Sequence, residues 1–110
     1  MKNLLCILFF SLTTAFSSSK VAVVMKVKGD ASVKFKESNS VQSLNPGTPL
    51  SDQDKITTGE DGFVALMYID DKTVVKILGN SILDILGKRS GATINKSINI
   101  EYGRVAAAVT

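Results

Sequence analysis

The sequence predicts a small all-β domain whose short antiparallel strands form a β-roll or a jelly-roll-like sandwich. Three apolar runs, at residues 63–69, 73–78 and 81–86, are rich in β-branched side chains and are separated by Gly, Asn and Asp. Short runs with this punctuation are typical of strands joined by turns. Each run meets a breaker before it reaches helical length, so the expected fold is built from strands.

Length and composition limit the chain to one domain. The chain has 110 residues, of which 45% are hydrophobic, so it can form a core of modest size. The formal charge is +3, and loss of Lys2 with a leader would leave about +2. A balance this weak does not indicate a nucleic-acid partner.

The N-terminus is predicted to be a signal peptide at residues 1–17. Lys2 precedes an apolar run at 4–10, and small residues follow. A small-x-small site predicts cleavage after Ser17, with Ser19 as the alternative. The apolar run is shorter than the roughly 20 residues that span a bilayer. We therefore expect an exported protein, periplasmic or secreted, with no transmembrane helix after cleavage.

Cys6 is the single cysteine and lies inside the apolar run. It is therefore poorly placed for lipid attachment and would leave with the signal peptide. The mature domain would have no disulfide and would depend on its core and its β ladders.

The first mature strands are predicted at 21–27 and 32–35, with Gly29-Asp30 between them as a hairpin turn. Apolar and basic residues alternate in this region, Met25 and Val27 included. A period of two places four lysines on one solvated face of the hairpin: Lys26, Lys28, Lys34 and Lys36. They could form a basic patch for anionic lipid, polysaccharide or an acidic partner. An exposed face or a lysine-guarded edge is the favoured interpretation, because nearby acids dilute the patch.

The middle of the chain alternates connectors and strands. A polar connector at 38–45 has a weak strand near Val41, and a short strand is expected at 55–57. The run at 63–69 is apolar at successive positions, which predicts a central strand covered on both faces.

The last third is predicted to contain a strand at 82–86, a basic turn at 87–91 and a strand at 97–102. In that strand the inward side chains would be Ile98, Ile100 and Tyr102. A further strand begins at 104, and the domain at 20–110 is interpreted as incomplete at its C-terminus, with an apolar edge.

The turn chemistry is a structural motif. Gly59 and Gly62 follow Thr58 and are expected to adopt positive φ, and Asp71 is expected to bond the backbone of its own turn. Four short motifs resemble, in order and spacing, the FecR-type domain of bacterial envelope proteins. They are Ile56-Thr57-Thr58-Gly59 with Gly62, Ala65-Leu66, Asp71-Lys72-Thr73 and Asn80-Ser81-x-Leu83.

The resemblance implies a periplasmic domain that senses or relays the state of a partner protein, as in iron-siderophore signalling. It does not carry over the full regulatory role, because this chain lacks the family's cytoplasmic anti-sigma segment and membrane helix. Lys72 replaces the family's usual Gly, which weakens the expectation of a type I′ or II′ turn there.

Catalytic and metal chemistry find little support in the sequence. The chain has no His, which excludes Ser-His-Asp and Cys-His systems and disfavours zinc and copper. Asp52-x-Asp54 begins like a calcium loop but lacks its Gly and terminal Glu. Asp84 is the acid with some chance of burial, although a solvated strand position is favoured for it. No cofactor is expected.

We therefore predict a non-catalytic binding or interaction module of the bacterial envelope, with a protein partner. The first alternative is a module that binds cell-wall polymer or polysaccharide, peptidoglycan included, through the lysine face and the turns near Gly59 and Asp71. The second alternative is a hydrolase that works with carboxylates alone.

Overall fold

The computed structural model describes residues 20–108, which form ten β-strands without a helix. The predicted signal peptide lies outside the described residues. The strands are β1 Lys20–Lys28, β2 Ala31–Lys34, β3 Val41–Ser43, β4 Pro49–Ser51, β5 Lys55–Thr58, β6 Phe63–Tyr68, β7 Val74–Ile77, β8 Ser81–Ser90, β9 Thr93–Tyr102 and β10 Val105–Ala108.

These strands form two five-stranded sheets that pack face to face as a sandwich. The first sheet has the order β10-β7-β6-β1-β4, and the second has the order β3-β2-β5-β8-β9. Every pairing is antiparallel. The prediction of an all-β antiparallel sandwich is confirmed.

The core is formed by alternate residues of the inner strands of both sheets. From the first sheet, β6 contributes Val64, Leu66 and Tyr68, each at most 1% exposed. The second sheet contributes fully buried Ile56 and Leu83. β6 lies at the centre of its sheet, as its continuous apolar run predicted, because a strand with neighbours on both sides is shielded from solvent.

The expected hairpin of the first two strands does not form. β1 pairs with β4 and β6 in the first sheet, whereas β2 pairs with β3 and β5 in the second. Gly29, at a φ of 62°, turns the chain from one sheet to the other and lies against the backbone of Asp61. Spacing along the chain predicted two strands but could not show that they belong to different sheets.

A register shift in β1 changes which side chains face solvent. The pairing with β6 slips between Val24 and Lys26, which is a β-bulge. Met25 is consequently 51% exposed beside exposed Lys26. The predicted strict alternation of apolar and basic residues is therefore wrong at this point.

β8 and β9 form a hairpin longer than predicted. Residues 87–90, expected as a turn, continue β8, and the turn falls at Gly91-Ala92. Gly91 has a φ of 65°, as hairpin turns of two residues require. Gly87 remains in the strand because its missing side chain leaves room for Val21 and Ile94, each about 3.1 Å from where a Cβ would lie.

The far end of β9 is exposed rather than buried. Ile98 packs against the core, but Ile100 is 46% exposed and Tyr102 is 63% exposed. The expectation of three inward side chains is thus correct for the first alone, because β9 is the edge strand of its sheet. β10 follows and pairs with β7 at the edge of the first sheet.

Gly59 and Gly62 have a different structural role from the predicted one. Neither is among the residues with positive φ. Instead, a Cβ on Gly62 would overlap the carbonyl oxygen of Asp30, and a Cβ on Gly59 would lie 2.8 Å from the Asp30 carboxylate. In the two turns that follow, Lys72 (62°) and Asn80 (55°) have positive φ. Lys72 therefore adopts a left-handed conformation at the position where glycine is usual in the FecR-type pattern.

We predict that Gly62→Ala destabilises the domain by about 2–3 kcal/mol, because the backbone must move to admit the methyl group. Gly91→Ala is the control: its Cβ would meet no atom within 4 Å, so positive φ is its only cost, about 1 kcal/mol. Denaturant unfolding measures both. Equal destabilisation would contradict the close approach at Gly62.

Candidate functional site

The outer face of the second sheet carries an open groove of about 640 Å³. Its base is formed by side chains of β5, β8 and β9 that point away from the core. The segment after β2 and the turn between β4 and β5 contribute to the lining through Lys36, Asn39 and Gln53. The groove therefore lies on a hydrogen-bonded sheet and is bordered by two connections.

Strand register aligns one row of polar side chains across the groove. Lys34 of β2 pairs with Lys55 of β5, which pairs with Asp84 of β8, which pairs with Asn99 of β9. Side chains directly opposite one another on neighbouring strands share a face. All four consequently line the groove.

The middle of this row is an ion-pair network. The Lys55 ammonium lies 3.7 Å from the Asp84 carboxylate and also pairs with Glu101. The Asn99 amide donates to Asp84 at 3.3 Å. Chiefly because of the hydrogen bond to Glu101, the pKa of Lys55 is raised above its usual value. The charge of Lys55 is thus balanced within the groove.

Three further lysines give the groove a positive balance. Lys34, Lys36 and Lys88 line it and are exposed. Within residues 20–108, none of the three makes an ion pair. Asp52 lines the groove as well, but its carboxylate accepts a 2.9 Å hydrogen bond from the Gly87 amide.

Amide, hydroxyl and apolar groups complete the lining. Asn95 and Ser97 of β9 add exposed polar side chains beside Asn99. Phe35 and Leu86 are half-buried, so each presents part of its apolar surface to the groove. The arrangement can donate and accept hydrogen bonds, attract anions and cover apolar surface.

The four lysines predicted from alternation lie in two places. Lys34 and Lys36 line the groove, whereas Lys26 and Lys28 are exposed on β1 of the first sheet and are not part of its lining. The expectation that all four share one hairpin face is therefore wrong, because the two strands belong to different sheets.

Sequence reasoning missed the groove lysines at 55 and 88. Lys55 precedes Ile56 in an apolar-polar alternation, a signal that could have identified it as outward-facing. Lys88 was assigned to a turn, although it continues β8. Their convergence with Lys34 depends on strand order, which the sequence does not display.

Asp54 is buried, with 2% exposure, whereas Asp84 is not. One carboxylate oxygen of Asp54 accepts from the Lys36 amide at 2.9 Å, and the other accepts from the Ser51 amide at 2.7 Å. The Asp84 side chain remains 23% exposed. Asp54 consequently fixes the position of the groove border that carries Lys36.

Tyr68 supports the groove from the opposite face of the sheet. Its hydroxyl crosses from β6 to the carbonyl oxygens of Leu86, at 3.0 Å, and Ser97, at 3.1 Å. Both of these residues have side chains in the groove lining. Burial, followed by the field of Asp52, raises the pKa of Tyr68 to about 12. The core thereby helps to hold the groove base in position.

A charged cluster next to Tyr68 ties the β6–β7 turn to β9. Asp70 accepts from the Ile94 amide at 2.8 Å and pairs with Lys96 at 3.0 Å. Burial alone would raise the pKa of Asp70, but these hydrogen bonds keep it below its usual value. The Lys96 ammonium also lies 5.6 Å from the centre of the Tyr68 ring. The cluster is a structural clamp beside the inter-sheet contact.

The residues of the predicted turn motif lie away from the groove lining. The Thr58 hydroxyl donates to the Leu78 carbonyl at 2.7 Å and accepts from the Ser81 amide at 3.0 Å. Asp71 accepts from the hydroxyl and the amide of Thr73, at 2.6 and 3.0 Å. Chiefly through that hydroxyl, the pKa of Asp71 falls to about 2. These contacts join strands, as do the close approaches of Gly59 and Gly62.

Neither a metal-binding cluster of three or more His, Cys, Asp or Glu residues nor a helix fit to cross a bilayer occurs in the part of the chain that the structure describes.

The fold is that of a small β-sandwich module with an open groove on the outer face of one sheet. A similar solved structure is described as "Cell surface anchoring domain"; it is 25% identical, with a TM-score of 0.55, over 61% of this chain and 86% of that one. No family model and no curated protein matches the sequence.

We predict that Asp54→Asn destabilises the protein by about 1–3 kcal/mol. The change replaces one carboxylate oxygen with an NH₂ group, so the backbone amide of either Lys36 or Ser51 loses its acceptor. Asp52→Asn is the matched control, since its remaining oxygen can still accept from Gly87, and it should cost clearly less. Denaturant midpoints measure both effects. If the two variants were equally stable, the role assigned to Asp54 in fixing the groove border would be wrong.

The raised pKa of Tyr68 predicts that the free energy of unfolding falls at alkaline pH. Its folded-state pKa, about 12, lies above the ordinary value of about 10, so the neutral hydroxyl is favoured by folding. The corresponding stability is present below pH 10 and is lost as the pH rises towards 12. Tyr68→Phe should cost about 1–2 kcal/mol at pH 7 through the lost hydrogen bonding. The free energies of unfolding of the wild type and of Tyr68→Phe, measured at pH 7, 9 and 11, should become more similar as the pH rises. A constant difference between them would contradict the assignment.

Proposed function

We propose that this protein is a non-catalytic, exported binding module that attaches to a component of the bacterial cell surface through the groove. The observation that carries the proposal is the trio of Lys34, Lys36 and Lys88, which line one groove and make no ion pair within residues 20–108. Unpaired cations on a rigid surface attract an anionic partner at little conformational cost.

The structural neighbour supports a location at the cell surface. Its description, "Cell surface anchoring domain", and its similar fold favour a corresponding attachment role for this chain. The predicted signal peptide at 1–17 agrees with export, whether to the periplasm or beyond. The FecR-type resemblance remains a prediction and agrees with an envelope setting.

The chemistry of the groove favours binding over catalysis. The chain contains no His, and its single Cys is Cys6. Asp84 lies on an open surface, and its carboxylate is already engaged by Lys55 and Asn99. The groove therefore suits a module that holds its partner without reacting with it.

A second candidate function is contact with an envelope protein by strand addition. β10 lies at an edge of the first sheet and contains Val and Ala without a charged residue. Uncharged edge strands can accept a strand from a partner. A partner of this kind would fit the relay role that the FecR-type resemblance implies.

The test is retention of the exported, processed protein on a washed envelope preparation, with matched charge reversals. We expect Lys34→Glu with Lys36→Glu to lower retention at least tenfold. Lys26→Glu with Lys28→Glu makes the same change in net charge outside the groove and should change retention less than twofold.

Equal losses in the two double variants would indicate nonspecific attraction and overturn the groove as the attachment site. Ala106→Lys places a charge on the β10 edge. If this variant lost retention while the groove variant kept it, strand addition would replace the groove proposal.

A further inference from the structure

We infer that the groove binds a linear, negatively charged polysaccharide, whose anionic groups are carried on separate units along the chain. This inference rests on the proposed attachment through the groove and specifies the ligand. It depends on the positions of the three unpaired lysines, on the groups between them and on the backbone beneath them.

Lys34 and Lys88 are too far apart to converge on one small anion. From Lys34 to Lys88 the path crosses two strand spacings, through Lys55 and Asp84, and runs four residues along β8. At about 4.8 Å per strand and 3.4 Å per residue, the two Cα atoms are about 16–17 Å apart. Side chains on a sheet stand roughly perpendicular to it, so their ammonium groups stay apart. Separate anionic groups on one polymer match this spacing.

The zone between the unpaired lysines has one cation paired with two carboxylates and is rich in hydrogen-bonding groups. Lys55 is neutralised by Asp84 and Glu101, while Asn99 offers an amide that can both donate and accept. Sugar hydroxyls likewise donate and accept. A polymer with hydroxylated units between its charges therefore complements the groove better than a continuous run of charge.

Apolar patches in the lining suit the C–H faces of sugar rings. Leu86 is half-buried in β8, and Phe35 is half-buried at the groove border. Small ligand sites commonly combine apolar contact with a few placed polar groups. The combination favours a carbohydrate that carries carboxylate or phosphate groups.

The groove geometry disfavours the other polyanions. An extended peptide binds by adding to a sheet edge, but the groove covers the face of β5 and β8, whose backbone groups are already paired with neighbouring strands. Single-stranded nucleic acid needs exposed aromatic rings for base stacking, whereas the aromatic residue in the lining is half-buried Phe35.

The experiment is calorimetric titration of the exported, processed protein with polygalacturonate, hyaluronate and phosphomannan. The comparison ligands are neutral dextran, monomeric galacturonic acid, poly-glutamate and single-stranded DNA. We expect at least one charged polysaccharide to bind tenfold or more tightly than dextran, the monomer and both other polyanions. Its affinity should fall as the salt concentration rises, because salt screens the attraction between the lysines and the anionic groups.

Lys34→Gln with Lys88→Gln should weaken that binding at least tenfold and make the salt dependence shallower. Lys26→Gln with Lys28→Gln is the matched control and should leave the affinity and its salt dependence unchanged. Equal loss in the two double variants would overturn the assignment to the groove.

The remaining outcomes separate this inference from the proposed function. If poly-glutamate or DNA bound as tightly as the polysaccharides, the ligand class would be wrong. If no charged polysaccharide bound while retention on envelopes still required Lys34 and Lys36, the ligand inference would fail and the attachment proposal would stand. If no charged polysaccharide bound and retention on envelopes did not require Lys34 and Lys36, both the ligand inference and the attachment proposal would be overturned.

Discussion

The contact between the two sheets is the constraint on which the rest of the structure depends. In the described domain no disulfide or metal cluster joins the layers. Burial of side chains such as Leu66 and Leu83 between them therefore supplies the driving force for folding. Burial of apolar groups is not directional, whereas the hydrogen bonds of Tyr68 are. Its hydroxyl donates to backbone carbonyl oxygens of β8 and β9 and so fixes how the two sheets meet. The same contact that joins the sheets holds the strands beneath the groove.

Carboxylates fix the connections that the core leaves free. Asp54 holds the Lys36 segment to the residue that ends β4, Asp71 organises the β6–β7 turn, and Asp70 joins that turn to β9. Each acid accepts hydrogen bonds from backbone amides or neighbouring side chains that the sheets do not satisfy. A buried donor without an acceptor is costly, so these acids determine where the loops lie. Their positions in turns therefore have a structural role.

The groove is a surface whose shape comes from the sheet and whose charge comes from unpaired lysines. Exposed ion pairs such as Lys55–Asp84 contribute little to stability, because solvent screens them. The ion pairs of Lys55 with Asp84 and Glu101 leave no positive excess in the middle of the groove, so its positive charge comes from Lys34, Lys36 and Lys88. Lys34 and Lys88 lie on strands of one sheet, which sets the separation of their backbones.

The local sequence pattern determined the all-β class, the central position of the run at 63–69 and the weak strand near Val41. Each of these depends on apolar periodicity and turn residues within a short stretch of the chain. It also indicated that Lys34 and Lys36 face solvent. Tertiary structure decided which strands share a sheet, and it separated Lys26 and Lys28 from the other two lysines. It decided as well that Gly59 and Gly62 serve close packing, that Gly87 belongs to a strand, and that Lys55 and Lys88 join the groove. These outcomes depend on contacts between residues far apart in the chain, and hydrophobic period and turn propensity carry no information about such contacts.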